Sequence, residues 1–258
     1  MTNPVTAPVS PARQLLSKVP EISVLFWLIK ILSTGMGETF SDFLVNTFPP
    51  EVAVGGGVLL LSVSLWLQFR ASRYQVWIYW TAVVMVSIVG TMVADIVDFV
   101  AGIPLPASTI AFSIAVASIL AAWYRSERTL SVHSITTRRR EAFYWATVMT
   151  TFALGTVAGD LTAATLHLGY LASAVLFGVA IAVPAVAHRW FGMGAVAAFW
   201  SAYVVTRPLG ASITDWLASS HSDGLGLGTG WISLAVTIPM VAGIAVAARR
   251  ERLRRNEI

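Results

Sequence analysis

Four aspartates stand in the same frame of one motif. The segments FWLIKILSTGMGETFSDF, YWTAVVMVSIVGTMVADI, YWATVMTTFALGTVAGDL and FWSAYVVTRPLGASITDW align without gaps, each reading [FY]-W, nine residues, Gly, four residues, Asp. The aspartates are Asp42, Asp95, Asp160 and Asp215, at +15 counted from Trp27, Trp80, Trp145 and Trp200. Position +11 holds Glu38, Thr91, Thr156 and Ala211, position +7 holds Thr34, Ser87, Phe152 and Arg207, and Lys30 stands at +3 of the first segment. Residues four apart share a face of a helix. Lys30, Thr34, Glu38 and Asp42 therefore form one polar stripe, and Arg207 and Asp215 lie on its equivalent in the fourth segment. Carboxylates and hydroxyls without thiols suit hard or borderline cations such as Mg²⁺, Mn²⁺ or Ca²⁺. Desolvation and like-charge repulsion oppose full ionisation of such a cluster, so it can exchange protons for cations. The expected metal ligands are Glu38, Asp42, Asp95 and Asp160. Asp215, Thr34, Thr91 and Thr156 complete the expected ion-binding set, Lys30 and Arg207 compensate its charge, and Asp98 and His167 are additional candidates.

The elements that position these groups are long apolar helices. Hydrophobic residues make up 56% of the chain, charged residues 12%, and the mean hydropathy is +0.73. Soluble domains carry about twice that charged fraction. A helix needs about 20 apolar residues to cross a hydrocarbon core of roughly 30 Å, and eight candidate spans meet this, at 21–44, 52–69, 75–99, 105–124, 142–166, 169–187, 194–217 and 231–248. The runs are continuous, not alternating, which argues against a β-barrel. The absence of cysteine excludes disulfides and thiolate metal sites. Of the 17 Lys and Arg residues, all but Lys30 and Arg207 fall in the tails or in the connections after even-numbered spans. By the positive-inside rule both termini are cytoplasmic. The run RRERLRR at 249–255 reads as a juxtamembrane anchor beside anionic lipid rather than a nucleic-acid patch. The stretch MTNPVTAPVSPARQLLSK reads as a disordered tail over 1–18; it fits a cleavable signal peptide poorly, because it is long and the span after it is charged.

Each motif helix is followed by a charge-free helix that ends at a basic residue. The unit is a helical hairpin used four times, over about 21–70, 75–125, 142–189 and 194–248, and all four enter the membrane from the same side. A pseudo-fourfold ring and a pair of two-hairpin halves both satisfy this. The segments KILSTGMGETFSDFL, ALGTVAGDLT and FWSAYVVTRPLGASITDWLA resemble the bacterial membrane-anchored proteins built from tandem copies of a membrane repeat of unknown function. The resemblance covers nearly the whole chain outside the tails. It implies a polytopic all-α membrane protein with four repeats, and it brings no activity, catalytic residue or cofactor.

A charge in hydrocarbon costs at least ~2.5–3.5 kcal/mol on insertion scales, so charged side chains face the bundle interior or a watery cavity. The odd-numbered helices are thus expected to line a polar centre, with the even-numbered ones shielding it from lipid. Trp27 to Asp42 spans about 22 Å at about 1.5 Å per residue. With the tryptophans at the cytoplasmic interface, the aspartates lie in the outer third. The glycine at +10 points away from the stripe and serves close helix packing. Pro208, next to Arg207, can break its helix. His133, His188 and His221 read as loop residues, and the glycines at 55–57 lack the lysine of a phosphate loop.

The expected function is proton-coupled export of a cation, Mn²⁺ or Mg²⁺ first, from the bacterial cytoplasm. A cation channel is an alternative, as is a membrane scaffold or sensor whose charges are structural salt bridges such as Glu38–Lys30 and Asp215–Arg207. No enzyme is expected, since the chain has no nucleophile–base constellation and no HExxH. Lys30 is read as a salt-bridge partner in preference to a Schiff-base former. The expected partners are the bilayer, the cation and protons, with no nucleic acid and no cofactor; the sequence does not set the oligomeric state.

Overall fold

The computed structural model describes residues 17–221 and 223–256. Most of the expected N-terminal tail, with Arg13, lies outside the described residues, as do 257 and 258. Among the described residues all regular structure is helical, in eight long helices: α1 (Val24–Thr47), α2 (Pro50–Arg70), α3 (Val76–Asp95), α4 (Leu105–Glu127), α5 (Arg138–Asp160), α6 (Gly169–Trp190), α7 (Ala195–Ala218) and α8 (Thr229–Asn256). Local chemistry sets several boundaries. Ser23 caps α1 by accepting the Phe26 amide at 3.2 Å, and Thr137 caps α5 by accepting the Arg140 amide at 3.3 Å. Proline opens α2 and α4, where its missing N–H costs nothing.

α2, α3 with its following turn, α4, α6 and α8 are long and apolar enough to cross a bilayer. The remaining helices α1, α5 and α7 are as long, at 24, 23 and 24 residues. They carry the buried charges or, in α5, begin with Arg138, Arg139 and Arg140, and they sit inside the bundle, where lipid contact sets no demand on hydropathy.

The inner helices form a closed ring, α1 against α3, α3 against α5, α5 against α7 and α7 against α1. This decides for the fourfold ring over the two-halves arrangement. Each outer helix packs mainly on the inner helix of the following repeat: α2 on α3, α4 on α5, α6 on α7, and α8 back on α1. The outer helices turn large apolar side chains such as Leu59, Ile110, Val175 and Ile238 outward, as a lipid-facing surface requires.

The motif is the ring's fastening. The aromatic residue before each tryptophan packs on the tryptophan of the next repeat: Phe26 on Trp80 (5.8 Å between ring centroids), Tyr79 on Trp145 (5.6 Å), Tyr144 on Trp200 (6.2 Å) and Phe199 on Trp27 (5.6 Å). About three turns further along, each motif glycine lies against the +7 residue of the next repeat: Gly37 on Ser87, Gly90 on Phe152, Gly155 on Arg207 and Gly210 on Thr34. A Cβ at Gly90 would stand 2.8 Å from Cβ of Phe152, and the other three would overlap their neighbours more severely. Close packing is therefore the reason for the glycine.

Two expected tails end differently. Ser17 and Lys18 belong to the folded body. Lys18 Nζ donates to Glu141 Oε2 at 2.7 Å, its amide donates to the Ile135 carbonyl at 3.0 Å, and Gln68 Nε2 donates to Glu141 Oε1 at 2.9 Å. A buried carboxylate with two such donors holds this strap across the face that carries both termini. At the other end, 249–255 is no separate tail but the last turns of α8, which continues to Asn256.

Candidate functional site

The four inner helices bring Glu38, Thr91, Thr156 and Arg207 together, one side chain from each repeat. Arg207 of α7 joins the other three. Its Nη1 donates to the Thr34 carbonyl at 2.8 Å, and its Nη2 contacts Glu38 Oε2, the Thr91 hydroxyl and, at 2.8 Å, the Thr156 hydroxyl. The Thr91 hydroxyl donates to the same Glu38 oxygen at 3.0 Å. One guanidinium thus touches all three other repeats. Arg207 is 1% exposed and Glu38 5%. A buried ion pair survives in a low-dielectric interior only when further hydrogen bonds accompany it, and the two threonines and the carbonyl supply them.

Two expected pairings are not formed. Arg207 pairs with Glu38 across the ring and not with Asp215 on its own helix. Lys30, expected to compensate an acid, has none: its Nζ is buried without a hydrogen-bond partner, 4.0 Å from the centroid of Phe152 and 4.4 Å from that of Tyr203. The aromatic faces are its only stabilising contacts among the described residues. Thr34 enters the site through its carbonyl, since its hydroxyl is spent on the carbonyls of Ile31 (2.6 Å) and Thr206 (3.2 Å).

One turn beyond the ion pair stand Asp42, Asp95, Asp160 and Asp215, one from each repeat. All four are half-buried, and none accepts a hydrogen bond from a described residue. They lie close enough for their charges to act on one another and on Glu38 and Arg207. They do not form the tight ligand set expected of Glu38, Asp42, Asp95 and Asp160. Glu38 is taken by Arg207, and among the described residues no three acids or histidines converge in a way that would hold a bare metal ion. After Asp95 and after Asp160 the helix widens into a π-helical turn, Ile96–Val100 and Leu161–Thr165. Such single turns are frequent at functional sites. Asp98 lies half-buried in the first of them, and His167 is exposed beyond the second with φ 55°, away from the axis.

Toward the face with the termini the axis is filled. Phe152, Lys30 and Tyr203 occupy it, followed by the hydrogen-bonded hydroxyls of Tyr79 and Tyr144 and the interlocked aromatic pairs. Toward the opposite face lie the four half-buried aspartates. Phe152 and Tyr203 were not among the expected site residues, although the motif numbering places them on the stripe at +7 and +3.

The chain belongs to the family described as Repeat of Unknown Function (DUF347), whose four copies match residues 25–74, 78–129, 143–193 and 198–253. Each copy joins one inner helix to the outer helix that follows it. No curated protein and no solved structure is significantly similar to the chain.

Proposed function

We propose that this ring of four repeats carries a cation across the membrane in exchange for protons. The carrying observation is the set of four half-buried aspartates, one per repeat, that accept no hydrogen bond and form no ion pair among the described residues and stand directly beyond the Glu38–Arg207 pair. A carboxylate at membrane depth must be neutralised by a proton, a cation or a base. The two bases on the inner helices nearest them are spent elsewhere, Arg207 on Glu38 and Lys30 between aromatic rings. Protons and a cation therefore compete for the aspartates. Arg207 acts as a tethered cation that holds Glu38 when the ion is absent and yields it as the ion moves inward.

Mg²⁺ or Mn²⁺ is the favoured ion. Four acids that do not converge on one point suit an ion that keeps its water shell, and Mg²⁺ commonly binds through one or two carboxylates while retaining several waters. The basic face is cytoplasmic in this reading, and the coupled flux is export. A simple channel is less well supported, because Phe152, Tyr203 and the aromatic pairs fill the axis on the side of the termini. The arrangement suits a carrier open on its acidic side.

The test is ion-driven proton movement in sealed proteoliposomes loaded with a pH dye. Mn²⁺, Mg²⁺, Ca²⁺, Na⁺ and K⁺ are added in turn to wild type, Asp42→Asn, Asp95→Asn, Asp160→Asn and Glu38→Gln, each shown to be folded. An ion-specific signal, reduced in each aspartate variant and lost in Glu38→Gln, is the expected result. A folded wild type that moves no protons with any of these ions overturns the proposal and leaves the scaffold reading.

A further inference from the structure

Three of the outer-to-inner junctions in the ring are joined by a short loop; the fourth, where α8 lies along α1, has no peptide connection. At the face carrying the termini this seam opens into a cavity of about 450 Å³. Its wall holds Arg73 from the loop between α2 and α3, Arg250, Arg254 and Arg255 from the end of α8, and two acids, Glu21 and Glu251. Both acids are already engaged. Glu21 pairs with Arg254 at 2.7 Å, and Glu251 accepts from Arg255 Nε at 3.0 Å, while Arg255 Nη2 also donates to the Tyr74 carbonyl at 2.8 Å. Arg73 and Arg250 have no hydrogen bond or ion pair among the described residues. Two guanidinium groups without a hydrogen bond or ion pair among the described residues thus line one cavity, Arg73 from the loop between α2 and α3 and Arg250 from α8.

We infer that this cavity is a binding site for a phosphate-bearing anion. The planar guanidinium donates in parallel to two phosphate oxygens, a match that a carboxylate-poor, arginine-lined cavity leaves open. The surroundings favour the headgroup of an anionic phospholipid over a soluble phosphate. Leu25 and Ala247 line the cavity, and beside Leu25 on α1 Val24 is 77% exposed and Leu28 54%, an apolar surface at hand for acyl chains. Arginines next to an apolar rim at the end of membrane helices are the usual setting for such a headgroup. A bound phosphate bridges Arg73 to Arg250 and bolts the ring's unlinked junction. This site is separate from the axis and does not depend on the transport reading.

The experiment measures binding to the full-length protein in micelles by native mass spectrometry, together with the thermal unfolding midpoint. The probes are phosphatidylglycerol, phosphatidylcholine and inorganic phosphate. The variants are Arg73→Gln with Arg250→Gln, and Arg189→Gln as a basic control away from the seam; neither Arg73 nor Arg250 has a hydrogen bond or ion pair to lose among the described residues, and the double variant is first shown to be folded. Phosphatidylglycerol is expected to stay bound and raise the midpoint in wild type and in the control. The double variant is expected to bind it about tenfold or more weakly, as loss of charge-assisted hydrogen bonds implies. Retention of inorganic phosphate without phosphatidylglycerol keeps the site and assigns it to a soluble phosphate compound. Equal binding of phosphatidylcholine and phosphatidylglycerol, or undiminished binding in the double variant, overturns the inference.

Discussion

The Arg207 side chain of the fourth repeat occupies the space that Gly155 of the third leaves by having no Cβ. A Cβ there would overlap Cβ and Cγ of Arg207 and stand 2.9 Å from Cδ of Pro208. Arg207 cannot retreat, because its guanidinium is fixed by Glu38, Thr91, Thr156 and the Thr34 carbonyl. Gly155→Ala is therefore expected to destabilise the fold by about 1–3 kcal/mol, the usual cost of overpacking. Gly56→Ala is the contrast: nothing lies within 4 Å of its added methyl, and alanine in a helix is favoured by roughly 0.5–1 kcal/mol. Denaturant unfolding in mixed micelles separates the two. Equal responses would show that the motif glycine is not a packing contact.

The Glu38–Arg207 pair should behave as a coupled unit. Arg207→Met leaves a buried carboxylate with the Thr91 hydroxyl as its one remaining donor, at an expected cost of about 3–5 kcal/mol. The double variant Glu38→Gln, Arg207→Met removes both charges and should lose less than the sum of the single losses. The cycle is expected to give a coupling of about 1–3 kcal/mol. Additive losses would mean that the two groups do not interact in the membrane.

Lys30 offers the opposite experiment. Its amino group is buried with no acid and no hydrogen-bond acceptor among the described residues. Lys30→Met keeps the length of the side chain and removes that unpartnered polar group, so stability should hold or rise. A loss above about 2 kcal/mol would mean that the contacts with Phe152 and Tyr203 outweigh desolvation, an upper range for cation–π stabilisation.

The loop between α7 and α8 carries a pH-sensitive fastening. Asp223 accepts the amides of Tyr170 at 2.6 Å and Leu171 at 2.9 Å, capping α6 from another part of the chain. These backbone hydrogen bonds hold its carboxyl below the usual carboxylate range. A lowered folded-state pKa means that the contribution is complete above the unfolded value near about 4 and is lost as pH falls through the lower, folded value. Hydrogen exchange at Tyr170 and Leu171, corrected for its intrinsic pH dependence, should be slow at neutral pH and accelerate in acid. Asp223→Ala should be fast at both. Protection that persists in the variant would assign it to the helix alone.

Much of the site was legible because one numbering runs through all four repeats. The polar stripe follows from four-residue spacing, and the aspartates, Glu38, Thr91, Thr156 and Arg207 are all brought to the axis region. The partners were not legible. Spacing on one helix suggested Glu38 with Lys30 and Asp215 with Arg207, yet the real pair spans 169 residues. Phe152 stands at a position where the first two repeats have hydroxyls, and it reads as a break in the stripe until Lys30 is found above its ring. The π-helical turns after Asp95 and Asp160 have no sequence signal that distinguishes them from the α-helical path after Asp42 and Asp215.

Hydropathy and repetition are one-dimensional properties, so the sequence by itself determined the membrane class, the eight helices, the four units and the inner or outer place of each helix. A charge cannot face lipid, and that rule needs no knowledge of neighbours. The tertiary structure alone decided how the units join: each outer helix on the next inner one, α8 back on α1, and the glycine of one repeat against the +7 residue of the next. It also decided that Arg207 takes Glu38 while Lys30 goes without an acid. Helix periodicity tells which residues share a face, but what stands opposite that face depends on which helix packs there and at what height.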